Sequence, residues 1–209
     1  SKNLDAADTW QVYHSGAGSG AKFGGHLDST AAFNTSAGTH GAWNTPSSTA
    51  LTFSNGSSSI DNLNTNNEDY IAYCFADIAG FSKFGSYTGN GSTNGPVVET
   101  VFEPAFLMVK NITSADNWAI FDNKRNTSNP RNTMLQANLN AADNSEVGAV
   151  INFYSNGFQS VGTGGGGGSG QVNKNNNVYI YMAFAADPDE EAPTVASSFN
   201  IETYTGTGA

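Results

Sequence analysis

The chain predicts an all-β protein built from tandem antiparallel β-sandwich modules, and three observations carry that expectation. No long window repeats its apolar residues every 3.6 positions, so no amphipathic helix is specified. Charged residues make up only 12% of the 209 residues, against about 25% in ordinary soluble domains; Asn, Ser, Thr and Gly carry the polar load and supply the bends. Lastly, the chain repeats itself, strand for strand.

The clearest repeat is Asp69–Ile78 (Asp-Tyr-Ile-Ala-Tyr-Cys-Phe-Ala-Asp-Ile), which returns 109 residues later as Val178–Asp187. Each is an uncharged, aromatic-rich run ended by an acidic residue, as expected of a central strand covered on both faces. Period-two reading puts Ile71, Tyr73 and Phe75 on one face, echoed by Ile180, Met182 and Phe184. The opposite face carries Tyr70, Ala72 and Cys74, echoed by Tyr179, Tyr181 and Ala183. The larger apolar face is expected to fill the core of each module, giving two separate cores.

Other blocks repeat in the same order. Lys2–Trp10 aligns with Lys110–Trp118, and the alternating Trp10–His14 with Trp118–Asp122. Leu51–Gly56 corresponds to Ile151–Gly157, a strand running into an Asn-Gly turn. Phe84–Gly91, with its Tyr-Thr-Gly-Asn-Gly, is echoed by Ile201–Gly208. Each module therefore opens on a Tyr-Thr-Gly strand and closes on the aromatic strand. Residues 1–79 form a first module lacking its opening strand, 80–188 a complete second one, and 189–209 an acidic linker with the opening strand of a further module. An unpaired strand invites pairing, so the C-terminal strand is expected to complete the first module, in its own chain or a neighbouring copy.

A net charge of −10 is the wrong sign for tracking phosphate backbones or docking on anionic membranes, so nucleic acid and membrane insertion are not expected. The single cysteine, Cys74, forms no intramolecular disulfide framework and is expected to be a buried, inert thiol.

Catalytic and cofactor signatures fail one by one. Gly16–Lys22 is glycine-rich without phosphate-loop spacing, and Asp61–Glu68 has calcium-loop composition but Leu63 at the third position. No Gly-x-Ser-x-Gly elbow occurs. His14, His26 and His40 all lie in the first module, and His14 aligns with Asp122, so no repeated ligand or triad pattern exists. Glu99 and Glu103 are close in sequence but sit beside a proline turn rather than across a cleft. The acidic Asp187–Pro193 reads as a solvated connector and Gly162–Gly170 as slack between strands. No cofactor, metal site or enzyme activity is expected.

One polar cluster stands out. Asp122–Asn132 holds three of the eight basic residues directly after a strand. Its bland reading is a long loop whose Asp122 pairs with Arg125 or Arg131 and whose asparagines make local turns. Its functional reading is a sugar-binding surface, because a sugar needs planar polar groups beside an aromatic ring. The candidate ligand-binding residues are Asp122, Asn123, Arg125, Asn126 and Arg131, with Trp118 as the ring, although Trp118 alternates in phase with Ile120 and so has a path to the core.

Together the blocks Tyr87–Gly91, Phe102–Lys110, Asn117–Asn126, Ser155–Phe158 and Tyr179–Ala185 resemble a module repeated in structural proteins of marine and cyanobacterial tailed phages. Such proteins are described as tail-fibre-like or as having a concanavalin-like lectin fold. The resemblance covers essentially the whole chain and implies a jelly-roll or concanavalin-like sandwich. It further implies a non-enzymatic part of a bacteriophage virion fibre, extracellular after host lysis, associating with its own copies or other virion proteins and binding a host surface glycan. The alternatives are a glycan-degrading fibre domain and a purely structural spacer, decoration or filament subunit.

Overall fold

The computed structural model describes residues 1–18, 24–33, 47, 49–53, 63–145, 149–162, 171–185 and 199–206. His40, Asp61, Asn62, residues 163–170 of the glycine tract and the 187–193 connector lie outside them. The chain is all-β, with antiparallel pairing throughout. Its strands are β1 (Lys2–Asn3), β2 (Gln11–Tyr13), β3 (Gly24–His26), β4 (Asp69–Phe75), β5 (Ser82–Thr88), β6 (Val97–Glu99) and β7 (Pro104–Asn111). Then follow β8 (Trp118–Asp122), β9 (Thr133–Gln136), β10 (Asn144–Ser145), β11 (Ile151–Tyr154), β12 (Gly157–Ser160), β13 (Val178–Ala185) and β14 (Phe199–Thr205), and a 3-10 turn, η1, spans Ser15–Ala17.

The second half is organised by a six-stranded sheet, β10-β9-β8-β7-β13-β5, and a three-stranded sheet, β11-β12-β6. Alternation turns Leu107, Val109, Phe121, Tyr179, Tyr181 and Ala183 of the larger sheet into one core with Val98, Ile151, Phe153 and Phe158 of the smaller. Phe158 anchors it, edge-on to Tyr87 (5.9 Å) and to Tyr181 (5.2 Å). The two repeated runs are both central strands: β13 lies between β7 and β5, and β4 between β1 and β14.

The face assignment, however, is reversed in β4 and, apart from the buried Ile180, in β13. Tyr70 and Ala72 are buried, while Tyr73 is 43% and Phe75 44% exposed and Ile71 is half-buried. In β13 it is Tyr179, Tyr181 and Ala183 that enter the main core, with Met182 and Phe184 half-buried. Hydrogen bonding explains why the tyrosine face goes inward. Tyr179 Oη accepts from Lys174 N at 2.7 Å and Tyr70 Oη from Thr65 N at 3.0 Å, so burial leaves neither hydroxyl unsatisfied. Each ring also stacks on a tyrosine of the neighbouring strand: Tyr179 on Tyr87 at 5.0 Å, and Tyr70 on Tyr204 at 4.9 Å.

That last contact belongs to the C-terminal strand. β14 pairs along β4 from Phe199↔Phe75 to Thr205↔Asp69, in the first half of the same chain. It repeats how β5 pairs along β13, down to single atoms. Tyr87 Oη donates to Val172 O and Tyr204 Oη to Leu63 O, both at 2.7 Å. Asn176 and Asn67, each at positive φ, donate their backbone N–H to Gly89 O (2.9 Å) and Gly206 O (2.7 Å). A side chain at either glycine is blocked, since a Cβ would lie 2.5 Å from Lys174 O at Gly89 and 1.8 Å from Thr65 O at Gly206.

The outer face of the six-stranded sheet is covered by the first half. Ile180 and Trp118 cluster with Ala17 and Phe33, so the two halves share this second cluster beside the core that the second half holds by itself. Phe75 meets Phe84 and Phe184 at about 6 Å. η1 is seated by His14, whose Nδ1 accepts from Gly16 N (3.0 Å) while Nε2 lies 2.9 Å from Tyr181 O and donates to it. The Nδ1 bond needs the neutral ring, and burial pushes the His14 pKa below 6.5 although the bond to Tyr181 O opposes the shift. The unfolded state therefore takes up the proton first, and stability from this residue is lost as pH falls below about 6.5. Urea unfolding of wild type and His14→Ala is expected to diverge at neutral pH and converge in acid; parallel curves would show that the imidazole does not tie η1 down.

Candidate functional site

The loop after β8 is a closed set of local bonds. Asp122 Oδ1 accepts from Lys124 N (2.9 Å) and Arg125 N (2.6 Å), its Oδ2 takes Arg125 Nη1, and Arg125 Nε lies 3.5 Å from Asp143. Asn126 Oδ1 accepts from Asn132 N (3.1 Å) and Thr133 N (2.7 Å), closing the loop onto the start of β9. Arg131 is buried; its Nη1 donates to Asn126 O and its guanidinium lies 4.5 Å from the centre of the Phe153 ring. Asn123 is half-buried, its backbone N–H given to Ala105 O (3.0 Å). Asp122, Arg125, Asn126 and the Arg131 Nη1 are thus engaged in shaping the loop, while the buried Arg131 Nε has no hydrogen-bond partner among the described residues.

Trp118 does not join them. It starts β8 whereas Asp122 ends it, about 13 Å away at a strand's rise per residue. Its ring is buried beneath Phe33 (6.1 Å) and its Nε1 donates to His26 O at 2.9 Å. The sugar platform expected of Trp118 is absent because β8 turns that ring onto the surface shared with the first half.

The combination of an exposed ring with planar amides occurs elsewhere, on the outer face of β11-β12-β6. Tyr154 is exposed there and donates its hydroxyl to Gln159 Oε1 (3.0 Å) while accepting from Asn152 Nδ2 (3.1 Å). Gln159 Nε2 in turn donates to Asn94 Oδ1 (3.0 Å) and Gly95 O (2.9 Å). Asn152 Oδ1 is buried and has no hydrogen-bond partner among the described residues. The exposed Val97 lies on the same face beside Gln159, and the turn carrying Val101, exposed and at φ 71°, bonds to Asn156 O at the adjoining end. The hairpin holds this strip flat: Gly157 lets β12 approach β6, where a Cβ would lie 2.1 Å from Val98 O. Its signal was in the sequence. Around the Ser155-Asn156 turn, Ile151, Phe153 and Phe158 alternate with Asn152, Tyr154 and Gln159, so an inward apolar set implies an outward ring-and-amide set.

His26 is held by Thr9 Oγ1 at 2.7 Å, a structural contact. Cys74 is half-buried rather than enclosed, and burial pushes its thiol pKa up, away from the reactive thiolate. Among the described residues no three His, Cys, Asp or Glu side chains are grouped to hold a metal ion, and no helix is long and apolar enough to cross a membrane.

Fold and sequence together define an all-β protein with an internal repeat. The chain belongs to the family described as domain of unknown function DUF7483, whose model matches residues 1–188 and so spans both copies of the internal repeat. No curated protein and no solved structure matches it.

Proposed function

We propose that the protein is a non-enzymatic, adhesive segment of a bacteriophage virion fibre, made of tandem jelly-roll or concanavalin-like β-sandwiches and contacting neutral glycan on the host surface. The observation that carries the glycan reading is the Tyr154 strip. A ring face flanked by Asn152, Gln159 and Asn94 offers stacking area with donors and acceptors in fixed directions. The surface is open and flat, so a single site is weak and attachment comes from many copies acting together. The resemblance of the repeated blocks to tailed-phage structural modules supplies the virion setting, outside the cell after lysis, with other copies and other virion proteins as neighbours.

A glycan array or host-cell adsorption assay with a multivalent display of the chain tests this. Tyr154→Ala and Gln159→Ala are expected to reduce binding at least tenfold, the loss of one stacked ring or amide pair. The triple change Asn123→Ala, Arg125→Ala, Arg131→Ala tests the β8–β9 loop in parallel. Binding abolished only by the triple change moves the site to the loop. No binding by the parent display to any host surface favours the purely structural spacer.

A further inference from the structure

The joint between the two halves contains the template for a second joint. Residues 29–33 of the first half lie along the edge of the second. Thr30 O accepts from Asp116 N (2.8 Å) and Lys110 Nζ (3.1 Å), Phe33 N donates to Ile112 O (3.2 Å), and the Phe33 ring packs on Trp118. On the receiving side Lys110, Ile112 and Trp118 have counterparts 108 residues earlier in Lys2, Leu4 and Trp10. On the donating side Ser29-Thr30-Ala31-Ala32-Phe33 has its counterpart 110 residues later in Leu139-Asn140-Ala141-Ala142-Asp143.

The hairpins before these segments fix that alignment in three dimensions. Leu27 N donates to Trp10 O (2.9 Å) as Ala137 N does to Trp118 O (3.1 Å). Trp10 N donates to Asp28 Oδ2 (3.4 Å) as Trp118 N does to Asn138 Oδ1 (2.9 Å).

Both counterparts are open at the surface. Leu139 is 47% exposed and residues 140–143 are all exposed. On the first half Lys2 and Trp10 are half-buried, but Leu4 is 55% exposed at an open depression of about 350 Å³ that it lines with Asp69, Thr203, Tyr204 and Thr205. We propose that this face receives Leu139–Asp143 of a second copy of the chain, repeating between molecules the joint made within one. The substitutions in the second copy of the segment fit that use. Leu139 replaces Ser29 and gives the segment an exposed apolar side chain, while Asn140 replaces Thr30 and keeps the carbonyl that Lys2 would take as Lys110 takes Thr30 O. Donating and receiving surfaces differ and lie on different halves, so the contact is head-to-tail and propagates instead of closing as a twofold pair. It rests on the internal joint and is independent of what the Tyr154 strip binds.

Sedimentation of the full chain over a concentration series tests it. Wild type is expected to form a concentration-dependent ladder of species. Leu139→Arg blocks the donor and Leu4→Arg the receiver; both positions are exposed, so the fold is kept, and each variant alone is expected to self-associate at least about tenfold more weakly. An equimolar mixture of the two retains one intact donor and one intact receiver and is expected to give a one-to-one dimer that grows no further. Lys2→Met gives a second readout: it removes the ammonium that would reach Asn140 O as Lys110 reaches Thr30 O, and it is expected to weaken association. A wild type that stays monomeric throughout, association untouched by either arginine, or two monomeric variants that stay monomeric on mixing would each overturn the proposal.

Discussion

A chain ending at Ala185 is expected to lose β1–β4 as a folded unit while keeping the six-stranded sheet. β14 supplies one entire side of β4, pairing from Phe199↔Phe75 to Thr205↔Asp69, whereas β1 covers the other side over only two residues. It also carries the lid of the buried tyrosine. Tyr204 stacks on Tyr70 and on Phe53, each at 4.9 Å, and Gly206 bonds Glu68 O and Asn67 N at 2.7 Å. Removing a large ring from such a stack alone costs about 3 kcal/mol or more, before the unpaired ladder is counted. The main core, by contrast, draws every member from Tyr87 to Ala183 and needs nothing from β14. Hydrogen exchange should therefore show the Asp69–Phe75 amides losing protection while those of Tyr179–Ala183 keep it. A peptide of residues 199–209 added in trans is expected to restore the former. Unchanged protection of Asp69–Phe75 in the shortened chain would mean that the first half is held by its joint with the second rather than by β14.

How far all this was legible in the sequence depends on which physical rule each feature obeys. Strand class and the central position of the two aromatic runs follow from short uncharged stretches with no helical period, and both are observed. The repeat phase was legible for a related reason: Tyr-Thr-Gly recurs because a tyrosine stacks and a glycine must clear the backbone of the preceding turn. Which face of β4 and β13 enters the core was not legible from size and polarity. The deciding groups are hydroxyl partners supplied from distant positions, Thr65 for Tyr70 and Lys174 for Tyr179, and periodicity carries no information about them. The candidate loop is a different case. Composition marked Asp122–Asn132 as polar, but a polar loop must first satisfy its own backbone, and here Asp122 and Asn126 are used for that. The Tyr154 strip escaped notice because its residues are ordinary one by one, and only the hairpin register brings Asn152 opposite Gln159. The alternation of Trp118 with Ile120 did foretell its burial, yet not that the first half would be what buries it.

Lys110 sets the largest effect expected of one charged side chain. It is fully buried, and its ammonium donates to three backbone carbonyls: Asn111 O (2.8 Å), Asp116 O (3.0 Å) and Thr30 O (3.1 Å). The last belongs to the first half, so one proton-bearing group ties the halves together. Lys110→Met keeps an unbranched chain in the same space and removes only the donor. Leaving those carbonyls without it is expected to cost about 2–4 kcal/mol near neutral pH, net of the relief from no longer burying a charge. Burial pushes the Lys110 pKa down from 10.5 to about 8, with Asp116 opposing the shift. Between those values the unfolded chain binds the proton more than the folded one, so this residue's contribution to stability grows as pH rises and is smallest below the folded value. The margin of wild type over Lys110→Met should therefore widen by about 2 kcal/mol from about pH 8 to about pH 9.5. Tyr181 and Tyr204, pushed up to about 12 by burial, act in the opposite sense, but only once unfolded tyrosines begin to ionise around 10.0. Paired urea titrations across the lower window isolate the lysine; a margin that stays flat there would show that its ammonium keeps its ordinary affinity for the proton, and one that narrows that the carbonyl cage raises it.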